Sequence, residues 1–292
     1  MTSTLDSPRL IRDNRATNRR WPWSAVLTHG LLILYSIVAI APLLLILVNS
    51  FKTGPAIFDD PFGLPTLDTF SLGGYERAIT EGSFGVYFTN SLIVTVSSLV
   101  ITVLLSALAG FGLSEYSTRV TPLVLLFFAA GIMLPIRLGT ISILNLMSSW
   151  GLVNSLTALI LVYVAMSLPL AVILMTQFMS QTSKEMKEAA RIDGANELQV
   201  FGMTVPLVRP GLAAVGTVTM LPIWNDLWFP LILAPSKATA TVTLGIQQFV
   251  GQYTTDWSAV LAALALSALP LVILFVFFSR QFVDGLSAGM GK

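Results

Sequence analysis

The chain has no cysteine and a single histidine, His29. That removes disulfides, thiolate nucleophiles and Cys/His metal clusters, and no metal site is expected. Charge is scarce as well: Asp, Glu, Lys and Arg make up 11% of the 292 residues, where a soluble globular domain carries about a quarter. The near-balanced net charge of +1 gives no bulk attraction to nucleic acid or acidic surfaces, so no nucleic-acid partner is expected. There is no Gly-x4-Gly-Lys-Ser/Thr phosphate loop, which excludes the chain from being an ATPase. With no cysteine, one histidine and no paired acids within a hydrophobic run, an intramembrane enzyme is only a remote alternative. The first twenty residues are polar and Arg-rich, with no apolar h-region, so the first hydrophobic segment is expected to act as an uncleaved anchor.

What the sequence has in abundance is apolar length: 54% hydrophobic residues and a mean hydropathy of +0.80. A spanning helix needs about 20 apolar residues. Six segments qualify: about Trp23–Val48, Tyr87–Leu113, Pro122–Leu146, Val153–Met179, Pro210–Leu233 and Trp257–Phe278. The expected fold is therefore an all-α polytopic membrane protein with six transmembrane helices. Pro135, Pro169 and Pro222 lie inside three of them, where freed carbonyls need partners in a packed bundle.

Lys and Arg placement sets the orientation. Arg9, Arg12, Arg15, Arg19 and Arg20 precede the first span, which places the N-terminus in the cytoplasm, and six crossings return the C-terminus there. Of the 16 basic residues, only Lys52, Arg77, Arg137 and Lys237 then fall on or near the outer side. The organisation reads as a cytoplasmic tail 1–22, a six-helix domain 23–280 and a cytoplasmic tail 281–292. External loops cover 51–85 and 234–256, and the largest cytoplasmic loop covers 181–209.

That loop is the densest concentration of charge in the chain. In Lys184–Glu197, the residues Lys184, Glu185, Lys187, Glu188, Arg191, Asp193 and Glu197 are all ionisable. Thr182 and Glu185 fit a capping box for a short helix over Lys184–Asp193, with Lys184 and Glu188 placed to pair at i, i+4. Ala189 and Ala190 form a small-sided patch that allows another surface to approach closely. Gly194 suits a left-handed turn, Asn196 with Gln199 begins a second short helix, and Pro206 redirects it. Two readings fit: a solvated linker, or a docking elbow at the inner membrane face.

The segment "EAARIDGA", Glu188–Ala195, resembles the EAA motif of permease subunits from bacterial ABC importers. Its wording is most similar to the carbohydrate branch, the inner permeases of maltose-type systems. The resemblance runs over the whole chain, including the Trp-Asn-Asp element and the tail "GLSAGMGK". It implies an ABC type I importer-like permease in the bacterial cytoplasmic membrane, multi-pass and not an enzyme. It further implies that the chain forms half of the pathway for a sugar or oligosaccharide. The implied partners are a second permease, two ATPase subunits (or a homodimeric ATPase), an extracytoplasmic solute-binding protein and the lipid bilayer. No cofactor belongs to this chain; ATP and Mg are used by the ATPase. Glu188, Ala189, Ala190, Asp193, Gly194 and Pro206 would be ATPase-coupling residues. Gly251 and Gln252 fall where maltose-type permeases contact the binding protein. One departure stands out: the family pattern places Pro thirteen residues after the Gly, and here Pro206 comes twelve after Gly194. One residue fewer turns the downstream chain by about 100° and shortens the element by about 1.5 Å. The same architecture with a polyol phosphate or amino acid as cargo is the main alternative, and an ion-coupled secondary transporter a remote one.

Ionisable groups at membrane depth mark pathways or internal pairs. Arg137 and Asp226 each lie over about 20 Å from the cytoplasmic end of their spans at ~1.5 Å per residue. Either they pair or snorkel, or Arg137, Trp224, Asn225 and Asp226 belong to a translocation pathway, with an indole face beside polar groups for a sugar. Ala107, Gly110 and Gly112 suit close helix packing.

Overall fold

The computed structural model describes residues 23–116, 118–250 and 255–290. It divides into two units, Met1–Leu45 and Ile46–Lys292. Most of α1 (Trp23–Asn49), an apolar helix with Pro42 inside it, belongs to the first.

In the second unit, short helices α2 (Gly54–Asp59) and α3 (Gly73–Thr80) precede α4 (Phe84–Glu115). At 32 residues α4 is about 48 Å long. Next come α5 (Thr121–Met133), a 3-10 turn (Ile136–Gly139) and α6 (Thr140–Ser149), then α7 (Leu156–Ser180), α8 (Lys184–Ile192) and α9 (Glu197–Thr204). A 3-10 turn over Val205–Val208 leads into α10 (Arg209–Asn225), followed by α11 (Trp228–Leu233), α12 (Val242–Ile246) and α13 (Trp257–Met290). No extended strand occurs among the described residues.

Four helices among the described residues are long and apolar enough to cross a membrane, Ala25–Asn49, α4, α7 and the continuous run Glu197–Asn225 that joins α9 to α10, and five if the bent pair α5–α6 counts as one. Of the six expected spans, two are broken rather than continuous. The third is broken at Leu134–Pro135 and bends by 80°, because the residue before a proline is pushed out of the helical region and Leu134 takes ψ 122°. The fifth stops at Asn225; Asp226 is extended at ψ 135°, and α11 restarts so that Pro230 falls in its first turn, where the missing N–H costs no helical bond. Pro169 and Pro222, by contrast, lie within continuous helices. The sixth expected segment is the start of α13, with an apolar stretch of 17 residues, Trp257–Ile273, among the described residues. The helix itself continues to Met290, through most of the expected tail.

α4 against α7 is the main pairing. A Cβ at Gly110 would meet the Met175 backbone at 2.8 Å, so the two backbones touch only because position 110 has no side chain. Gly112 faces open space, and the expectation for it does not hold. Three buried cores line up along α4. Phe84 and Tyr87 join Trp224 and Val242; Val94 joins Tyr163 and Phe229; Ala107 and Phe111 join Met175, Ala190 and Val200.

At the end of the bundle where α4 begins, polar ties order the connecting elements. Lys52, buried, donates to the Asp60 carbonyl at 2.6 Å. Asn90 holds the carbonyls of Ala238 and Ala240. Arg77 bonds Asp256 through Nε and Nη2, joining α3 to the start of α13. The guanidinium holds the Asp256 carboxyl below its ordinary range. The pair therefore stabilises the fold above the unfolded carboxylate value and loses that contribution as pH falls through the lower native one.

Gly110→Val should cost about 1–3 kcal/mol through overpacking against α7, seen as a lower melting temperature of the purified protein, whereas Gly112→Ala should leave it unchanged. Equal effects at both positions would show that the Gly110 contact does not hold α4 to α7.

Candidate functional site: the charged loop and two helix breaks

The loop between α7 and α10 is two helices with a glycine elbow. Ser183, not Thr182, caps α8: its hydroxyl oxygen accepts from Met186 N at 3.2 Å and its proton goes to Glu185 at 2.6 Å, drawing the Glu185 carboxyl below its ordinary value. Thr182 is spent on the Met179 carbonyl. Gly194 has φ +88°, the left-handed turn anticipated for it. Asn196 and Gln199 form a reciprocal capping box at the start of α9.

Pro206 sits in the 3-10 turn of Val205–Val208. A 3-10 residue advances about 120° and 2.0 Å, against about 100° and 1.5 Å in an α-helix. Over four residues that adds about 80° and 2 Å, close to what one missing residue removes.

Two of the loop's charges, Lys187 and Arg191, turn inward, while Lys184, Glu185, Glu188, Asp193 and Glu197 stay exposed. Lys187 Nζ bonds Glu115 Oε2 at 2.6 Å, and Arg191 Nη1 bonds Glu115 Oε1 at 2.7 Å. Arg191 also forks onto Glu197 at 2.8 and 3.0 Å. These two carboxylates, Glu197 foremost, hold the Arg191 guanidinium in its charged form, with its pKa above the ordinary value. The expected Lys184–Glu188 pair does not form; ion pairing passes instead to Glu115, at the end of α4. Meanwhile Glu188, Ala189, Asp193 and Gly194 face outward beside Ile192 and Leu198, which are 85% and 73% exposed. Ala190 faces the other way, into the core with Phe111 and Val200. Glu115 carried no sequence signal: it lies 72 residues before Lys187, with no periodicity to connect them.

At the other site the breaks in the third and fifth spans meet. Asp226 accepts from Tyr163 Oη at 2.8 Å and from the backbone N–H groups of Trp228 (3.3 Å) and Phe229 (3.1 Å), taking the first-turn donors of α11. Arg137, in the 3-10 turn after Pro135, comes within 3.9 Å of Asp226 and 5.7 Å of the Trp228 ring centre. Thr140 Oγ1 donates to the Arg137 carbonyl and accepts from Trp228 Nε1. The expectation for Trp224 is corrected: it is 4% exposed, with Phe88 edge-on and its N–H given to the Ser267 carbonyl. Its indole therefore presents no face to a solute. Trp228, half-exposed beyond the break, is the indole beside Arg137 and Asp226. Asn225 is exposed and donates to the Leu221 carbonyl. Gly251 and Gln252 lie outside the described residues. No cluster of three potential metal ligands occurs among the described residues.

Comparison with known proteins gives this geometry its relatives. The family described as "Binding-protein-dependent transport system inner membrane component" matches residues 16–287. The chain is 32% identical to the diacetylchitobiose uptake system permease protein NgcG of Streptomyces coelicolor, over 96% of this chain and 92% of that one. It is 31% identical to the arabinooligosaccharides transport system permease protein AraQ of Halalkalibacterium halodurans (86% and 91%). It is 30% identical to the maltodextrin transport system permease protein MdxG of Bacillus subtilis (91% and 96%). In fold it is similar to a chain of the crystal structure of a bacterial ABC transporter involved in the import of the acidic polysaccharide alginate. The TM-score is 0.76 at 20% identity, covering 94% of this chain and 100% of that one.

Ser183→Ala should cost α8 about 1 kcal/mol, read as faster hydrogen exchange at the Met186 amide; Thr182→Val should leave that amide unchanged. The reverse order would return the cap to Thr182.

Proposed function

The chain belongs to the family of binding-protein-dependent transport system inner membrane components, and from that premise we propose that it lines half of a sugar pathway and takes its drive from a separate ATPase through the loop 181–209. It is a multi-pass inner-membrane protein, a transporter permease and not an enzyme. One observation carries the coupling reading. A solvated linker turns its charges to water and its apolar side chains inward, but here Lys187 is 2% exposed while Ile192 is 85% exposed. The loop spends Lys187 and Arg191 on α4 and offers Glu188, Ala189, Ile192, Asp193, Gly194 and Leu198 outward. Such a face suits an apolar socket with a polar rim on another protein.

The remaining assembly comes from the same reading: a second permease, two ATPase subunits using Mg-ATP, and an extracytoplasmic binding protein that delivers the cargo. α5 has no buried residue, and Leu123, Leu126, Phe127 and Met133 are 64–84% exposed. That surface suits lipid or the second permease. The Lys/Arg bias supports six crossings with both termini in the cytoplasm. Arg137, Asn225, Asp226 and Trp228 are the pathway candidates, with the Trp228 face available to stack on a sugar ring. The relatives named for diacetylchitobiose, arabinooligosaccharides and maltodextrin favour a sugar over a polyol phosphate or amino acid.

Glu188→Lys and Gly194→Pro should each abolish co-purification of the ATPase while the chain still inserts in the membrane; normal ATPase recovery in both would overturn the coupling role. For the pathway, Trp228→Ala should change cargo uptake at an unchanged protein level. Trp224→Ala should instead lower the protein level, by about 3–5 kcal/mol of lost core packing. Mass spectrometry of the ligand carried by the cognate binding protein checks the cargo, and an amino acid or polyol phosphate there would overturn the sugar reading.

A further inference from the structure

Two short connections flank the loop: residues 181–183 between α7 and α8, and the 3-10 turn of Val205–Val208 before α10. The second is itself helical, so α9 continues into α10 as one run, Glu197–Asn225. With nothing else holding it, α8 is free to swing about its three-residue connection and the turn at Gly194 when a partner pushes on it. Glu115 removes that freedom. It is the last residue of α4, 12% exposed, and each of its carboxylate oxygens takes a different cation of α8, Lys187 and Arg191, one helical turn apart. Arg191 in turn reaches Glu197 at the start of α9 through two parallel bonds. One turn before Glu115, Phe111 packs edge-on against Phe201 of α9, with ring centres 5.5 Å apart at 73°. The end of α4 therefore grips both arms of the elbow, by charge and by an aromatic contact. Because the grip is desolvated, opening it would strand an ammonium inside the protein, which is strongly unfavourable.

We propose that Glu115 is a positioning residue that clamps both arms of the loop to α4, so that α8 moves with this span and with α9 as one body instead of flexing on its connections. The proposal rests on the coupling reading above and adds where the motion goes. α4 contributes to all three cores, as does α10 through Val215, Ile223 and Trp224. It is α4 that carries the clamp, so displacement of the loop is delivered along its length to the core around Tyr87 and Trp224 at the far end. The outward face of the elbow binds the partner; the inward charges hold the elbow to the span.

The absence of cysteine permits a direct test in the assembled complex with its ATPase and second permease. Spin labels are placed at Leu108→Cys on α4 and Lys184→Cys on α8, both exposed. Their separation is measured by pulsed electron resonance without nucleotide and with Mg-ATP plus vanadate. With native charges the distance distribution should be the same in both states. In Glu115→Gln combined with Lys187→Met, which leaves no unpaired buried ammonium, the distribution should broaden and differ between states. Basal ATP hydrolysis should persist there, but its stimulation by the binding protein should fall several-fold. A nucleotide-dependent shift with native charges would overturn the clamp. So would an unchanged distribution and full stimulation in the double variant. Failure of the coupling reading has a different signature: normal ATPase binding by Glu188→Lys with the Leu108–Lys184 distance unaltered.

Discussion

Close contact between α4 and α7 is the constraint on which the rest of this protein depends. Lipid offers apolar side chains no less than another helix does, so helices within a bilayer are held by close packing and by polar bonds. Gly110 lets α4 come against the Met175 backbone, and Ser98, Thr102 and Ser106 keep the same helix slim where it is fully buried. With α7 fixed, the loop at its end starts at a defined place. With α4 fixed, Glu115 lies beside that start. The clamp on the loop is thus a consequence of helix packing several turns away.

The breaks in the third and fifth spans obey a second rule, that backbone groups inside a membrane need partners from the protein. Interrupting α10 at Asp226 frees the first donors of α11, and the Asp226 carboxylate takes two of them. The same carboxylate accepts from Tyr163, and Arg137 stands close by. The ionisable pair therefore has the structural role of bringing two irregular segments together, while the Arg137 side chain stays largely exposed, as the proposed pathway needs. The two alternatives for Arg137 and Asp226, pairing or pathway, are not exclusive in this arrangement.

Particular residues show where sequence reasoning succeeds. Gly194 and the Asn196/Gln199 box were legible because turn and cap chemistry is decided within three or four residues. The choice between Thr182 and Ser183 as cap was not, since both carry a hydroxyl and only the point where α7 ends selects one. Trp224 and Trp228 are equivalent on paper. The helix break between them turns one indole into the core and leaves the other half-exposed, and that break depends on Asp226 finding partners on α7 and α11. Similarly, Pro135 breaks its span whereas Pro169 does not, although both interrupt apolar runs of similar length.

Composition and short spacing were enough to establish an apolar, helical, multi-pass chain, the elbow at Gly194 and the concentration of charge around it, and the resemblance of Glu188–Ala195 to a known motif pointed to the family. The direction in which those charges face belongs to the tertiary structure alone. Lys187 and Arg191 read as a solvated surface until Glu115, 72 residues before Lys187, comes beside them. The reason is physical: an ion pair needs two groups close in space, and here that proximity is produced by the packing of α4 on α7, which no local spacing encodes.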